Sequence, residues 1–267
     1  MRFILVVVTA AVAALAACAG EDDQPMDHRS DYQFFSNATR RDATVDEARL
    51  VVNLNGCTAF FVDNTQGRTY LMTAQHCVSH AITTWCAGGG HVVDNQGRSG
   101  TCTRVIAADA SHDVALFEAS LPFVPAQGSV LRLAAYLPPV NSRLDMIGYP
   151  ADNDPTTARH GRLTVTQDCW VLSGDRPSPY GAGNMSDRSM LHNCSTYGGN
   201  SGGPMYIEGS LDAVGLPFTY VPDDYHRRNP NDLHTAAALA QTADFVATFR
   251  DRLDAAGVVI ADAPPPH

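Results

Sequence analysis

The sequence predicts an all-β fold carrying one C-terminal α-helix. Apolar runs are short, turn-forming residues separate them, and a helical period is visible only near the C-terminus. The 267 residues include 21 Gly and 16 Pro, which punctuate the apolar runs throughout and favour short strands joined by turns over a helical bundle. A hydrophobic share of 45% is that of an ordinary globular protein with a core to bury.

The elements follow in order. Met1 to Gly20 opens with a single cation, Arg2, and continues as an apolar stretch, Phe3 to Ala17, interrupted only by Thr9. A charged start before a short apolar core reads as a secretory signal peptide spanning 1–17. It ends in Leu15-Ala16-Ala17-Cys18, which resembles the lipobox of bacterial lipoproteins. That resemblance implies lipidation of Cys18 and a membrane anchor. Ala19 in place of an Asp after the cysteine points to the outer membrane. Ordinary cleavage at Ala17-Cys18-Ala19, giving a periplasmic or secreted protein, is the alternative.

Residues 18–46 are polar, rich in Asp and weakly periodic, and are expected to form a flexible linker. The folded domain is expected over 47–258. Leu50 to Val52, Thr58 to Val62 and Thr69 to Thr73 read as strands, with turns at Asp63 to Gly67 and Asp94 to Gly97. Val114 to Phe117 closes a first half, about 47–120, and Leu121 to Gly128 reads as a crossing segment. A second half, about 128–225, carries strand-like runs at Val130 to Leu133, Leu144 to Ile147, Arg162 to Val171, Met205 to Ile207 and Asp212 to Leu216. Phe245, Val246, Phe249 and Leu253 recur at intervals of three and four before Gly257, so a helix is expected over 235–256, with 259–267 as a frayed tail.

The 18 Lys and Arg against 28 Asp and Glu give a net charge of −10. With no basic run to meet phosphates, nucleic acid is not an expected partner. Setting Cys18 aside leaves Cys57, Cys77, Cys86, Cys102, Cys169 and Cys194, an even set that reads as three disulfides in an exported chain. Fifteen pairings are formally open; order along the chain suggests Cys57 with Cys77, Cys86 with Cys102 and Cys169 with Cys194. There is neither a CxxC pair nor HExxH, so no metal site is read, and no cofactor is called for.

Three segments carry candidate chemistry: Thr73-Ala74-Gln75-His76-Cys77, His112-Asp113-Val114-Ala115-Leu116 and Gly198-Gly199-Asn200-Ser201-Gly202-Gly203-Pro204. A serine hydroxyl is a poor nucleophile. It needs a base to take its proton and a carboxylate to hold that base in one tautomer. The glycines around Ser201 allow a tight turn. Asp109 is a rival to Asp113 for the orienting role, and His80, His91, His112, His160 and His192 read as surface or turn residues.

In their order His, Asp, Ser, these segments resemble the chymotrypsin-like (trypsin-like) serine proteases, whose triad is a well-studied template. The resemblance implies two packed antiparallel six-stranded β-barrels with protein or peptide substrate bound between them, and His76, Asp113 and Ser201 as the triad. It also implies an oxyanion hole from the amides of Gly199 and Ser201, and a disulfide from Cys57 to Cys77 beside the histidine. The motif Ser195-Thr196-Tyr197-Gly198-Gly199-Asn200-Ser201-Gly202 is most similar to bacterial glutamyl endopeptidases. The resemblance places a specificity pocket at Ser195, Thr196, Leu216, Pro217 and Phe218, where Ser195 supplies no charge to select Lys or Arg. The Gly-x-His of the glutamyl branch is replaced by Gly215-Leu216-Pro217. Neutral Asn200 stands where trypsin-type enzymes use an Asp to pair with a new N-terminus, so no such activation switch is expected.

Two other readings compete. Gly199-Asn200-Ser201-Gly202-Gly203 also satisfies GxSxG, the elbow of α/β-hydrolase esterases, with Asp223 or Asp224 and His234 as formal partners. A lipid-anchored binding module that kept a protease scaffold without catalysis is the non-enzyme reading.

Overall fold

The structure, a computed structural model, describes residues 39–265 apart from 55, 79–80, 95, 124, 151–161, 177–188, 195, 197 and 218–236. It opens with β1 (Thr39–Asp42) and α1 (Val45–Ala48). Thr44 caps α1 reciprocally: the Glu47 amide donates to Thr44 Oγ1 at 3.3 Å, and Glu47 Oε2 accepts the Thr44 amide at 2.8 Å. Such a box satisfies two otherwise orphaned donors. Arg41 grips the same carboxylate, donating to Oε2 at 2.7 Å, and its hydrogen bonding pulls the Glu47 pKa down to about 2. The expected linker over 18–46 is therefore too long at its C-terminal end. Residues 39–46 belong to the folded body, because their hydrogen bonds are made with it: β1 pairs antiparallel with residues 164–167.

Six strands make a closed barrel: β2 (Val51–Asn53), β3 (Thr58–Val62), β4 (Tyr70–Ala74), β5 (His91–Asp94), β6 (Ser99–Asp109) and β7 (Val114–Ser120). Between β4 and β5 lie a 3-10 turn (Gln75–Val78) and α2 (Ile82–Ala87). Every residue of β3 and β4 is buried, and Phe60, Phe61, Leu71, Met72, Leu116 and Phe117 are buried on the two faces of the barrel wall. Truncating one of those rings to Ala costs about 3–5 kcal/mol. The hairpin turns are closed by side chains. Asn64 Oδ1 accepts the amides of Gln66 and Arg68, and Asp94 Oδ1 those of Gln96 and Arg98.

The second half contains β8 (Arg132–Ala134), β9 (Arg143–Gly148), β10 (Thr164–Arg176), β11 (Ser189–His192), β12 (Met205–Ile207), β13 (Asp212–Pro217) and β14 (Ala237–Gln241), then α3 (Thr242–Ala255) and β15 (Ile260–Ala261). β12 pairs with both β9 and β13, so β9, β10, β11, β14, β13 and β12 form a second closed ring of six. Its interior holds Leu144, Met146, Val171, Met190, Met205 and Val214. β8 and β15 attach outside the ring in parallel, a departure from a purely antiparallel second barrel.

Two boundaries differ from expectation. The helix begins at Thr242 rather than 235. Ala237–Gln241 is extended, pairing with β11 on one side and β13 on the other. The helical preference of Ala and Leu is a weak prior that closure of a sheet overrides. It also carries the second barrel past 225. Nor do residues 259–261 of the expected tail hang free: the Val259 amide donates to Asp63 O at 2.9 Å, and β15 pairs with β8.

Asp145, opposite Tyr206 on β9 and β12, is 8% exposed. Burial, with the nearby Glu208 charge, pushes its carboxyl up to about 6. The fold thus holds this proton more tightly than the unfolded chain does. Asp145 therefore favours the folded state at low pH, and that contribution is lost as pH rises from about 4 through 6. Asp145→Asn is expected to raise the melting temperature at pH 7 and to flatten its decline between pH 4 and 6. Thermal melts across that range check it.

Candidate active site

His76 lies in the 3-10 turn that follows β4, and Asp113 in the turn that precedes β7. Pairing of Ala74 with Val114, and the Gln75 amide donating to Asp113 O at 2.9 Å, bring the two side by side. Asp113 Oδ1 accepts the His76 backbone amide at 2.8 Å, while Oδ2 lies 2.5 Å from His76 Nδ1. One carboxylate thereby fixes both the backbone and the ring of the histidine. Nδ1 is held as the donor, which leaves Nε2 as the basic nitrogen. The Asp113 side chain is 6% exposed and the imidazole 37%, so the orienting group is dry and the ring reaches solvent.

Asp113 sits at φ +54°, a left-handed conformation that costs about 1–3 kcal/mol and persists only where neighbours enforce it. The turn before it is organised by Asp109, which accepts the Ser111 amide at 2.9 Å and Ser111 Oγ at 2.6 Å, and contacts His112 Nδ1 at 2.5 Å. Burial works to raise the Asp109 pKa, but these bonds prevail and hold it below the usual range. Asp109 thus serves His112 and not His76. His112 lies in the turn, as expected, and is paired there with Asp109. His192, expected near the surface, is wholly buried. Burial lowers its pKa to about 3, and its Nδ1 accepts the Cys194 amide at 3.1 Å. A histidine in a strand interior carries no sequence signal that separates it from one outside.

Ser201 lies in a loop pressed onto the first barrel. Thr58, first residue of β3, donates its amide to Ser201 O at 3.0 Å and its hydroxyl to Gly199 O at 2.9 Å. Gly202 has φ +76°, and a Cβ there would fall 2.2 Å from Thr73 Oγ1 and 2.5 Å from Thr58 O. The loop therefore requires glycine at this position in order to approach so closely. Asn200 is buried, and its carboxamide has no partner among the described residues. After Pro204 the chain enters β12, not a helix. An α/β-hydrolase elbow needs a helix there, so the esterase reading is overturned; its formal partners Asp223, Asp224 and His234 lie outside the described residues.

Disulfides join Cys57 to Cys77, Cys86 to Cys102 and Cys169 to Cys194. Cys77 Sγ lies 3.6 Å from Ser201 O, which sets the histidine turn against the serine loop. Cys57, His76 and Cys77 present ligand-type atoms within 4.8 Å of one another, but both sulfurs are bonded and so are not thiolates. Of the pocket residues, Leu216 is buried on the same strand face as the core residue Val214, and Pro217 O accepts the Gly202 amide at 3.0 Å. Thr196 Oγ1 donates to Cys194 O at 3.2 Å. Ser195, Phe218 and Cys18 lie outside the described residues.

The model of the trypsin-like peptidase domain matches residues 57–216, more than half of the chain. The chain belongs to the trypsin-like peptidase family. This trypsin-like serine peptidase is similar in fold to the Rv3671c protease of M. tuberculosis in its inactive form. The crystal structures of that protease and of its serine-to-alanine variant each match with a TM-score of 0.51 at 19% identity, over 79% of this chain and 90% of theirs. No curated protein matches the chain significantly. The matched span begins at Cys57, in the disulfide that holds the His76 turn, and ends at Leu216 on β13, so it takes in His76, Asp113, Ser195, Thr196, Gly199, Ser201 and Leu216 but not Cys18, Pro217 or Phe218.

Gly202→Ala is expected to destabilise the peptidase by about 1–3 kcal/mol or more, since it combines a left-handed φ with contacts against backbone. Urea unfolding of the variant against the parent measures this.

Proposed function

We propose that this peptidase is an exported serine endopeptidase in which Ser201 is the nucleophile, His76 the general base and Asp113 the orienting acid. The carrying observation is the Asp113 carboxylate, bonded at once to the amide and to Nδ1 of His76. As Ser201 Oγ attacks the scissile carbonyl carbon, its proton passes to His76 Nε2. The amides of Gly199 and Ser201 stabilise the oxyanion. Collapse expels the amine, which takes the proton back from His76. Water then attacks the acyl-enzyme by the same route, releasing the acid and restoring Ser201.

Export is supported by three disulfides, which persist in oxidising compartments, and by the apolar stretch before Cys18. We read Cys18 as lipidated and the protein as a bacterial outer-membrane lipoprotein acting on protein or peptide substrates. Neutral Ser195 argues against a preference for Lys or Arg, and Pro217 in place of a histidine argues against glutamate.

Ser201→Ala is expected to abolish labelling by a serine-directed fluorophosphonate without unfolding the protein. His76→Ala should lower kcat by about 10⁴- to 10⁶-fold, because triad members act as a unit. Retained peptidase activity in Ser201→Ala removes the nucleophile assignment, whereas a parent that neither labels nor hydrolyses peptides favours a non-catalytic binding role for the scaffold. Separately, Cys18→Ser should move the protein out of the membrane fraction or leave an unprocessed precursor. A native protein found soluble, with its N-terminus beyond Cys18, rules out the anchor.

A further inference from the structure

Three successive peptide carbonyls around the proposed nucleophile are each held by a protein donor. Gly199 O accepts the Thr58 hydroxyl at 2.9 Å, Asn200 O accepts the Gly203 amide at 2.8 Å, and Ser201 O accepts the Thr58 amide at 3.0 Å. In a trans peptide the N–H points opposite to the C=O of the preceding residue, so the bond to Asn200 O aims the Ser201 amide, and the bond to Gly199 O fixes the intervening peptide that links the Gly199 amide to it. Two of the three bonds come from one residue of the other barrel. Thr58 is fully buried, and its hydroxyl is used in both directions: it donates to Gly199 and accepts the Tyr149 amide at 3.1 Å. Its carbonyl accepts Thr73 Oγ1 at 2.7 Å, which ties it to β4, the strand that leads into His76.

We propose that the Thr58 hydroxyl is a positioning group for the oxyanion hole, holding the Gly199–Asn200 peptide so that the amides of Gly199 and Ser201 converge before substrate arrives. The proposal rests on the reading of Ser201 as nucleophile. Without the hydroxyl the Gly199 carbonyl is buried with no donor, a state that costs free energy until the peptide rotates to find one. Gly199, at φ +89° with no Cβ, offers little steric resistance to that rotation. The amides then no longer point at one place, and stabilisation of the developing charge falls while ground-state binding is preserved.

The test uses the full-length protein, a fluorophosphonate probe, and Thr58→Val and Thr58→Ser. Valine keeps the shape, the β-branch and the backbone amide on Ser201 O, and removes only the hydroxyl. The expected result is a fall of about 10- to 100-fold in the limiting inactivation rate, with the probe concentration for half-maximal rate within about twofold of the parent. Thr58→Ser should recover most of the rate. Thr58→Ala replaces the valine variant in the comparison if valine does not fold. A lowered melting temperature with an unchanged inactivation rate shows a structural role only and overturns the proposal, as does an equal loss in the Val and Ser variants. Failure of the parent to label, or labelling that survives Ser201→Ala, overturns the nucleophile reading and the Thr58 role with it.

Discussion

Ser201 belongs to the second half of the chain, yet the carbonyls of Gly199 and of Ser201 itself are held by Thr58 of the first. This seam is polar and made largely of backbone, and it meets a requirement that apolar packing alone does not. Apolar contacts are non-directional and tolerate small slips, whereas a hydrogen bond weakens steeply as its angle and distance change. Registering a histidine turn on one barrel against a serine loop on the other calls for the directional kind. The demand appears in the sequence as glycine: at Gly202, any Cβ would occupy the space taken by Thr73 Oγ1 and Thr58 O.

The first barrel meets the same demand with side chains. Asp113 holds a strained left-handed φ because the carboxylate of Asp109 braces the preceding turn and because its own carboxylate is engaged by His76. Orientation of His76 is therefore the end of a chain of contacts: Asp109 to the turn, the turn to Asp113, and Asp113 to the imidazole. Beneath it, the Cys57–Cys77 disulfide anchors the histidine turn to the residue before β3. Asn200 shows the converse economy. A buried ionised carboxylate at that position would demand a cation, whereas an unpaired amide costs far less.

Legibility differed with the range of the information. Strands such as Met205–Ile207 and the turns at Asn64 and Asp94 were readable because apolar runs and Asx-Gly chemistry are local. The motifs at His76, Asp113 and Ser201 were readable because tight turns constrain neighbouring residues. Ala237–Gln241 was not, since its local preference is helical and only pairing with β11 and β13 makes it extended. Thr58 read as an ordinary first residue of a strand: its hydroxyl acquires a role only through Gly199, 141 residues away. The Asp109–His112 pair had the spacing of a turn contact but no apolar pattern to draw attention to it.

The early start of the folded body bears on the proposed anchor. β1 is paired to β10 from Thr39 onward and Arg41 is bonded to Glu47, so under the proposed lipidation no more than the residues from Ala19 to Ala38 would lie between the lipid and β1. At about 3.5 Å per residue, that length of chain reaches at most roughly 70 Å. Because β1 pairs with β10 of the second ring, a pull on the chain before Thr39 acts first on β10, not on the β4 and β7 pairing that places His76 beside Asp113.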